Sequence, residues 1–483
     1  MPRLLALLLL PGMLLLAARP WHDDAASGEV YGVIRDERGP VAGAVVRYKG
    51  LEVATISDAQ GRFRLPRQPG RLRITAAVEG YFIAGESAGR SPLVLQLKRL
   101  PATDCELYAW VDPTPDLHQS GNCGNCHRAI HAEWQQSRHS SSGRNPRFLK
   151  QYDELLKQHP LGADVCASCH APTLRPGGFG EFDMRQAALQ SPGLSGIHCD
   201  YCHKVQGPGT GEWGLTHGRF QLSLLRPEPG AGQLFFGPLD DVDRGEDAPS
   251  RFQRDSRLCA ACHEGVVFGI PVYTTFSEWQ ASPAGKAGAS CQSCHMTPTG
   301  TMRSMAHGSL RRDPATLGNH RFFEVNQVEM LKSCLKVEVV TSLHEDERHI
   351  TVSVMAERVG HRVPTGFIDR NLVLFVEGYE DGRARTAYRG PTLPDYFTAD
   401  EAGRSGRSYA RVLADEDGNR PARFWKADLA TLIDTRLTPG EADVSKFCFP
   451  PEIDRVRVRL LHRRLWNKDD EQVIVDRWID VAK

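Results

Sequence analysis

The sequence has no excess of charge of either sign: 59 basic and 59 acidic residues among 483 leave a formal net charge of zero. Neither nucleic acid nor a strongly charged membrane surface is therefore implied as a partner. A membrane-spanning run is also missing. The apolar stretch Leu4 to Ala18, after Arg3, is interrupted by Pro11 and Gly12 and falls short of the roughly 20 apolar residues a spanning helix needs. Residues 1–27 read instead as a secretory signal, which implies a periplasmic or otherwise exported protein. No clean Ala-x-Ala precedes Gly28, so Ala17-Ala18 and Ala25-Ala26 both qualify as the cleavage point, and no cysteine follows the run to carry a lipid. There is no nucleotide loop, serine triad or metalloprotease helix, so those chemistries are excluded.

What the sequence does contain is one phrase, Cys-x-x-Cys-His, five times. It occurs at Cys123, Cys126, His127; at Cys166, Cys169, His170; at Cys199, Cys202, His203; at Cys259, Cys262, His263; and at Cys291, Cys294, His295. Two thiols at this spacing add across the vinyl groups of one haem, and the next residue lies under the ring with its imidazole on the iron. This is the pattern of covalent c-type haem attachment, five haems in all. The rival is four-thiolate zinc, which also uses paired CxxC. Zinc does not require a histidine after each pair, and five such matches by chance have odds of roughly one in ten million. No motif ends in lysine, so the lysine-ligated catalytic haem of the pentahaem nitrite reductases is absent. Cys105, Cys334 and Cys448 are left over; in an oxidising compartment two can pair, and at least one remains free or bonds another chain.

Around the motifs the chain changes character twice. Residues 28–98 carry short β-branched runs separated by turns such as Glu37-Arg38-Gly39-Pro40 and Asp58-Ala59-Gln60-Gly61, which predicts a small β-sandwich. Residues 99–332 form the haem region, with few strands and some helices. Phe148, Leu149, Tyr152, Leu155 and Leu156 share a helical face over 148–158. From 333 to 483 alternation returns, at Leu335, Val337, Val339, then Ile350, Val352, Val354, and later Val456, Val458, Leu460 and a strand near Val473–Ile479. A second β-sandwich-like domain is expected there. The acidic loop Asp240–Asp247 reads as a solvated turn, with calcium as the weaker alternative. Glu133-Trp134-Gln135-Gln136-Ser137 and Glu278-Trp279-Gln280-Ala281-Ser282 form a faint repeat, each after a motif. The histidine at 139 has only Ala284 as its counterpart, as if one ligand had been replaced from elsewhere.

Function turns on the far side of each iron. A second histidine leaves an electron carrier, whereas an open position admits a substrate. If a helix continues from the first motif, His139, twelve residues beyond His127, lies about 18 Å along the axis and would serve a different haem. His198 precedes Cys199 and can reach only a neighbouring haem. His217 and His320 lie in irregular chain, and His361 sits in the rigid loop Gly360-His361-Arg362-Val363-Pro364-Thr365-Gly366. These five are the distal candidates. His307 is weaker, His131 reads as packing, and His118, His159, His344, His349 and His462 as ordinary loop, helix-end or strand histidines.

Two resemblances add to this reading. Gly32-Val33-Ile34-Arg35-Asp36 with Gly39, Val41, Gly43, Asp58, Gly61, Phe63 and Gly80-Tyr81 resembles the carboxypeptidase regulatory-like module, which implies a seven-stranded, transthyretin-like sandwich without catalytic residues. Cys123 to His127 leading into Trp134-x-x-Ser137-x-His139, Gly196 to Lys204, His217 to Phe220, Cys291 to Met296 and the His361 loop resemble multihaem cytochromes c related to the hydroxylamine-oxidoreductase-associated tetrahaem cytochrome. That likeness implies distal ligation by His139 and His361. The combined expectation is an exported pentahaem cytochrome that relays electrons between redox partner proteins through bis-histidine haems. The alternatives are an oxidoreductase acting on a small nitrogen or sulfur compound at one open haem, and a structural subunit of a larger complex or filament. Each ferric haem with ionised propionates adds roughly one negative charge, so a basic redox partner fits.

Overall fold

The computed structural model describes residues 28–481 apart from 90, 161–164, 175–183, 185–188, 300–311, 323–326 and 470. The expected signal and His307 lie outside the described residues.

Period-2 alternation builds the strands at both ends of the chain. In the N-terminal region β1 (Glu29–Asp36), β2 (Gly39–Pro40), β3 (Val45–Tyr48), β4 (Ala54–Ile56), β5 (Arg62–Pro66), β6 (Arg73–Ala77), β7 (Ala84–Ser87) and β8 (Leu93–Gln96) form two four-stranded sheets. β1 lies between β2 and β5 and also pairs with β8 in parallel; the other sheet has the order β4-β3-β6-β7. Val30, Ile34 and Leu95 from the first sheet and Val46, Tyr48 and Ile74 from the second share one core. Glycine is required at Gly32, where a Cβ would stand 2.2 Å from the Leu93 carbonyl oxygen of the neighbouring strand.

The centre is held together differently. Short helices carry the motifs, and three two-stranded ribbons brace them: β9 (Val205–Pro208) with β10 (Leu222–Leu224), β11 (Phe235–Gly237) with β12 (Asp247–Pro249), and β13 (Glu264–Val267) with β14 (Ile270–Thr274). The helix Pro146–Gln158 starts where the Asn145 side chain accepts from the Arg147 and Phe148 amides and proline occupies the first turn, an N-terminus that needs no other partner. It buries Tyr152 and Leu155 against Ile270, Val272, Leu413 and Trp425. The acidic loop is not the solvated turn expected. Asp243 takes Lys49 and Arg73, Asp240 takes Arg47, and Asp241 takes Arg312 and the Gly50 amide. Its carboxylates are spent on docking the N-terminal sheets, which leaves no anionic cage for calcium.

At the C-terminal end β15 (Leu335–His344), β16 (Glu347–Ala356), β17 (Asn371–Glu380), β18 (Arg383–Arg385), β19 (Gly406–Asp415), β20 (Ala427–Asp434), β21 (Ala442–Phe449), β22 (Arg455–Arg463) and β23 (Gln472–Asp480) form two sheets. One has the order β15-β16-β21 and the other β20-β19-β17-β22-β23, with β18 beside β17. Val337, Ile350, Val352 and Phe447 face Leu372, Leu374, Val456 and Val458 across a common core. Leu331 and Cys334, on the helix Gln327–Cys334, join that core ahead of the first alternating residue. Arg411, buried in β19, donates to the carbonyls of Pro271, Val272 and Gly366. This ties the sheet to β14 and to the loop that follows His361.

Candidate haem-binding centres

Each motif ends in, or forms, a short helix: Cys123–Cys126, Val165–His170, Cys199–Cys202, Arg257–His263 and Cys291–His295. Helical spacing brings the first cysteine, the second at i+3 and the histidine at i+4 to one face. Two motif imidazoles are held by their outer nitrogen: His170 Nδ1 donates to the Ser142 carbonyl at 3.2 Å and His203 Nδ1 to the Phe236 carbonyl at 2.7 Å. That fixes the tautomer and leaves Nε2 to a metal. Burial pushes the pKa of His139, His170 and His295 down to about 4 and that of His263 to about 3, so each is neutral, the form that coordinates.

The motifs lie against one another. The Cys123 and Cys199 thiols are close neighbours, as are Cys169 with Cys262 and Cys259 with Cys291. Cys202 lies close enough to act electrostatically on Cys259 and Cys262. The attachment points therefore follow in the order first, third, fourth, fifth, with the second beside the fourth. All thirteen cysteines are free. Among the described residues no three motif thiols or imidazoles converge on one point as a metal cage.

Two of the five distal candidates face a motif histidine. The ring centres of His139 and His263 are 6.3 Å apart, and those of His295 and His361 are 6.2 Å apart. Metal–imidazole bonds of about 2.0–2.1 Å, plus roughly 1.1 Å from nitrogen to ring centre on each side, put two imidazoles on opposite faces of one iron about 6.2–6.4 Å apart. Both pairs have that separation, and His139 meets the fourth motif rather than its own. His198 is used otherwise: Nδ1 accepts from the Tyr201 amide at 3.4 Å, Nε2 bonds Thr173 Oγ1 at 2.9 Å, and the ring is 1% exposed. It caps the helix of its own motif, and neither ring nitrogen is left for a neighbouring iron. His217 Nε2 bonds the Gly214 carbonyl at 2.9 Å. Its ring nevertheless lines the same cavity as Cys166, Cys169, His170 and Tyr273, an empty volume of about 670 Å³ partly continuous with solvent. His320 stands edge-on to Phe322, which itself packs on His139 at 4.4 Å. His131 is buried against Trp134, as a packing residue.

The faint repeat is a structural one. Trp134 Nε1 donates to the Ile197 carbonyl and Trp279 Nε1 to the Ala289 carbonyl, both at 2.8 Å. Ser137 and Ser282 each return a hydroxyl to the preceding tryptophan carbonyl at 2.7 Å. In both copies the buried glutamate grips a distant histidine segment. Glu133 accepts from the His320 amide at 3.0 Å, and Glu278 from the Arg362 amide and the Thr365 hydroxyl, each at 3.2 Å. Glu278 also takes Arg436 Nη1 at 2.6 Å and Thr274 Oγ1 at 2.5 Å. The sequence reading recognised the repeat but not these clamps; a glutamate before a buried tryptophan, repeated after a motif, was the available signal.

The residues fit haem on one further count. Arg370 is enclosed, its pKa is lowered by burial, and its guanidinium bonds the Thr365 carbonyl at 3.0 Å. Among the described residues it makes no ion pair with a carboxylate, and it lies near enough to His263 to act on it electrostatically. A desolvated cation beside a haem motif suits a propionate.

Residues 122–204 match the family Cytochrome c554 and c-prime. No curated protein matches the chain. Among solved structures the chain is similar to a penta-heme cytochrome c552 from Thermochromatium tepidum, at 22% identity and a TM-score of 0.54, over 74% of this chain and 97% of that one. These likenesses and the five motif helices support a multihaem c-type cytochrome with covalently bound haem. Among the described residues no helix is long and apolar enough to cross a membrane.

Proposed function

We propose that the chain is an exported pentahaem cytochrome that relays electrons between redox partner proteins, with bis-histidine ligation at the fourth and fifth motifs at least. The observation that carries this reading is the pair of facing imidazoles, His139 with His263 and His295 with His361, at the spacing one iron needs. One-electron exchange between ferric and ferrous iron is the chemistry a bound haem supplies. The chain's own residues hold and orient. Ser142 and Phe236 carbonyls fix the tautomers of His170 and His203, Glu278 fixes the His361 loop, and Arg370 supplies a counter-charge. The thiol contacts join the motifs into one branched series whose ends are the first, second and fifth. Cys126 and Cys294, at the first and fifth, are the exposed motif cysteines, which suits entry and exit of electrons there. The N-terminal sheets act in this reading as a non-catalytic module, consistent with a carboxypeptidase regulatory-like domain.

The second reading, an open iron acting on a small nitrogen or sulfur compound, is favoured by one feature, the cavity at the second motif where His217 is bonded to Gly214. One set of measurements separates the two. A haemochrome assay counts haems per chain, and optical and EPR spectra with carbon monoxide and cyanide report open irons. Five haems, all low-spin and indifferent to both ligands, support the carrier. His139→Ala and His361→Ala should then each convert one haem of the five to a carbon-monoxide-binding form. A wild-type protein with one high-spin haem would support the second reading, and haem-loaded, folded variants that stay wholly low-spin would refute the two pairings.

A further inference from the structure

The outward face of the sheet β15-β16-β21 carries a group of side chains that the haem centres do not use. Strand register assembles it: His344 at the end of β15 lies opposite Glu347 at the start of β16, and His349 lies opposite Cys448 of β21. Residues directly opposite share a face, as do residues two apart on one strand. All four therefore point the same way, while Arg348 and Ile350 between them are buried on the other side. One ligand atom each from Glu347, His349 and Cys448 lies within 4.8 Å of the others. His349 Nε2 is 3.2 Å from Glu347 Oε2, and the His344 and His349 ring centres are 6.0 Å apart. A tetrahedral zinc ion with bonds of about 2.0–2.3 Å holds its ligand atoms roughly 3.3–3.7 Å apart. Movement of about an ångström closes the Glu347, His349 and Cys448 atoms around an ion, with the backbone already in register, while His344 stands outside that trio.

We infer that Glu347, His349 and Cys448 form a site for one zinc ion, with His344 at the exposed rim as the fourth ligand. The donor set decides the metal class: a thiol, imidazoles and one carboxylate suit a borderline cation such as zinc and are poor ligands for calcium or magnesium. Binding replaces the Cys448 S–H bond with a sulfur–zinc bond and releases that proton to solvent. It also displaces Arg389, whose guanidinium now pairs with Glu347, lies beside Cys448 and over the Tyr388 ring, and whose side chain is 61% exposed. The Tyr388 hydroxyl also faces Glu347 and remains as a hydrogen-bond partner for the bound carboxylate. An ion here pins the β15–β16 turn to β21. The site is separate from the haem centres, because seven residues of β16, about 24 Å, run from His349 to Ala356 before the His361 loop begins.

The test uses the haem-loaded protein, stripped with a chelator and equilibrated with micromolar zinc. Elemental analysis should find one zinc per chain beyond the iron. Zinc-edge X-ray absorption, which the haems do not obscure, should show one sulfur at about 2.3 Å with nitrogen and oxygen at about 2.0–2.1 Å. Cys448→Ser should remove the sulfur shell, His349→Ala should weaken binding at least tenfold, and Arg389→Ala should tighten it severalfold. Should a variant misfold, protection of Cys448 in the wild-type protein from maleimide by zinc decides instead. Substoichiometric zinc, a shell without sulfur, affinity unchanged in a folded His349→Ala, or no protection of Cys448 would overturn the inference and leave only a surface ion pair between Glu347 and Arg389.

Discussion

Replacing Glu278 by alanine should loosen His361 from a distance. The carboxylate is 9% exposed and holds four partners at once: Arg436, Thr274, the Arg362 amide and the Thr365 hydroxyl. Removing one member of a buried ion pair costs about 3–5 kcal/mol. The lower end applies, because Arg436 keeps Asp434 at 2.8 Å. The amide and hydroxyl of the loop itself lose their acceptor, and about 3 kcal/mol of that anchoring corresponds to a change of roughly 100-fold in the ratio of seated to displaced loop. Among the described residues the His361 ring bonds only the neighbouring Arg362 carbonyl, at 3.1 Å, so its seat depends on the loop. The assay is the EPR and optical spectrum of Glu278→Ala with carbon monoxide, beside a thermal melt. A high-spin fraction approaching one haem in five, together with a lower melting temperature, is the expected result. Glu278→Gln, which keeps the shape and the acceptor oxygen, should recover most of the low-spin signal. A folded Glu278→Ala protein whose five haems all stay low-spin, whether or not its melting point falls, would refute the positioning argument.

Three further outcomes follow from other contacts. His198→Ala should leave the haem spectra unchanged while costing about 1–2 kcal/mol in stability, because the ring is a helix cap bonded to Thr173; a new high-spin haem in this variant would show that the cap assignment is wrong. Lys204 and Asp200 form an ion pair with both side chains 0% exposed, and the ammonium lies 4.1 Å from the Phe235 ring centre. Lys204→Met leaves Asp200 with the Tyr108 hydroxyl and the Val111 amide, each at 2.9 Å, but without a counter-charge, so it should cost about 3 kcal/mol and move one component of a spectroelectrochemical titration to lower potential; an unchanged melt and unchanged potentials would contradict this. At Asp243, burial alone would raise the pKa, but bonds and charge from Lys49 and Arg73 prevail and hold it below the usual aspartate range. A depressed folded-state pKa stabilises fully above the unfolded value, near 3.9, and its contribution is lost as pH falls through the folded value. Small-angle scattering should therefore register release of the N-terminal sheets as the solution is acidified below about pH 4, whereas Asp243→Asn should be looser already at neutral pH. Identical profiles for the two proteins would exclude Asp243 as the acid-sensitive tie.

Some of the haem site was legible in the residues and some was not, for physical reasons. The five motifs are local: one helical turn brings two thiols and an imidazole together, and no distant contact is needed to recognise it. His139 was legible as a histidine twelve residues beyond its own motif, although the helix expected to carry it that far ends at Gln135, and the identity of the ring it faces, His263, depends on how remote segments pack. His361 was legible as a histidine in a stiff loop, and its seat opposite His295 is set by Glu278 across the junction between the central and C-terminal regions. His198 carried the right residue type at a plausible place, yet its two nitrogens are taken by Tyr201 and Thr173. The Asp240–Asp247 loop misled in the same way, because a run of carboxylates says nothing of the Lys49, Arg73 and Arg47 that come to meet it.

By itself the sequence determined the cofactor class and strands at both ends of a helical and irregular centre, because each rests on spacing along the chain or on alternation over a few residues. Only the tertiary structure decided which histidines face each other, the succession of the motifs from first to third to fourth to fifth, the clamps at Glu133 and Glu278, and the gathering of Glu347, His349 and Cys448 on one face. Those are relations between residues ten to two hundred positions apart, and they exist only once strand register and buried ion pairs have brought the segments together.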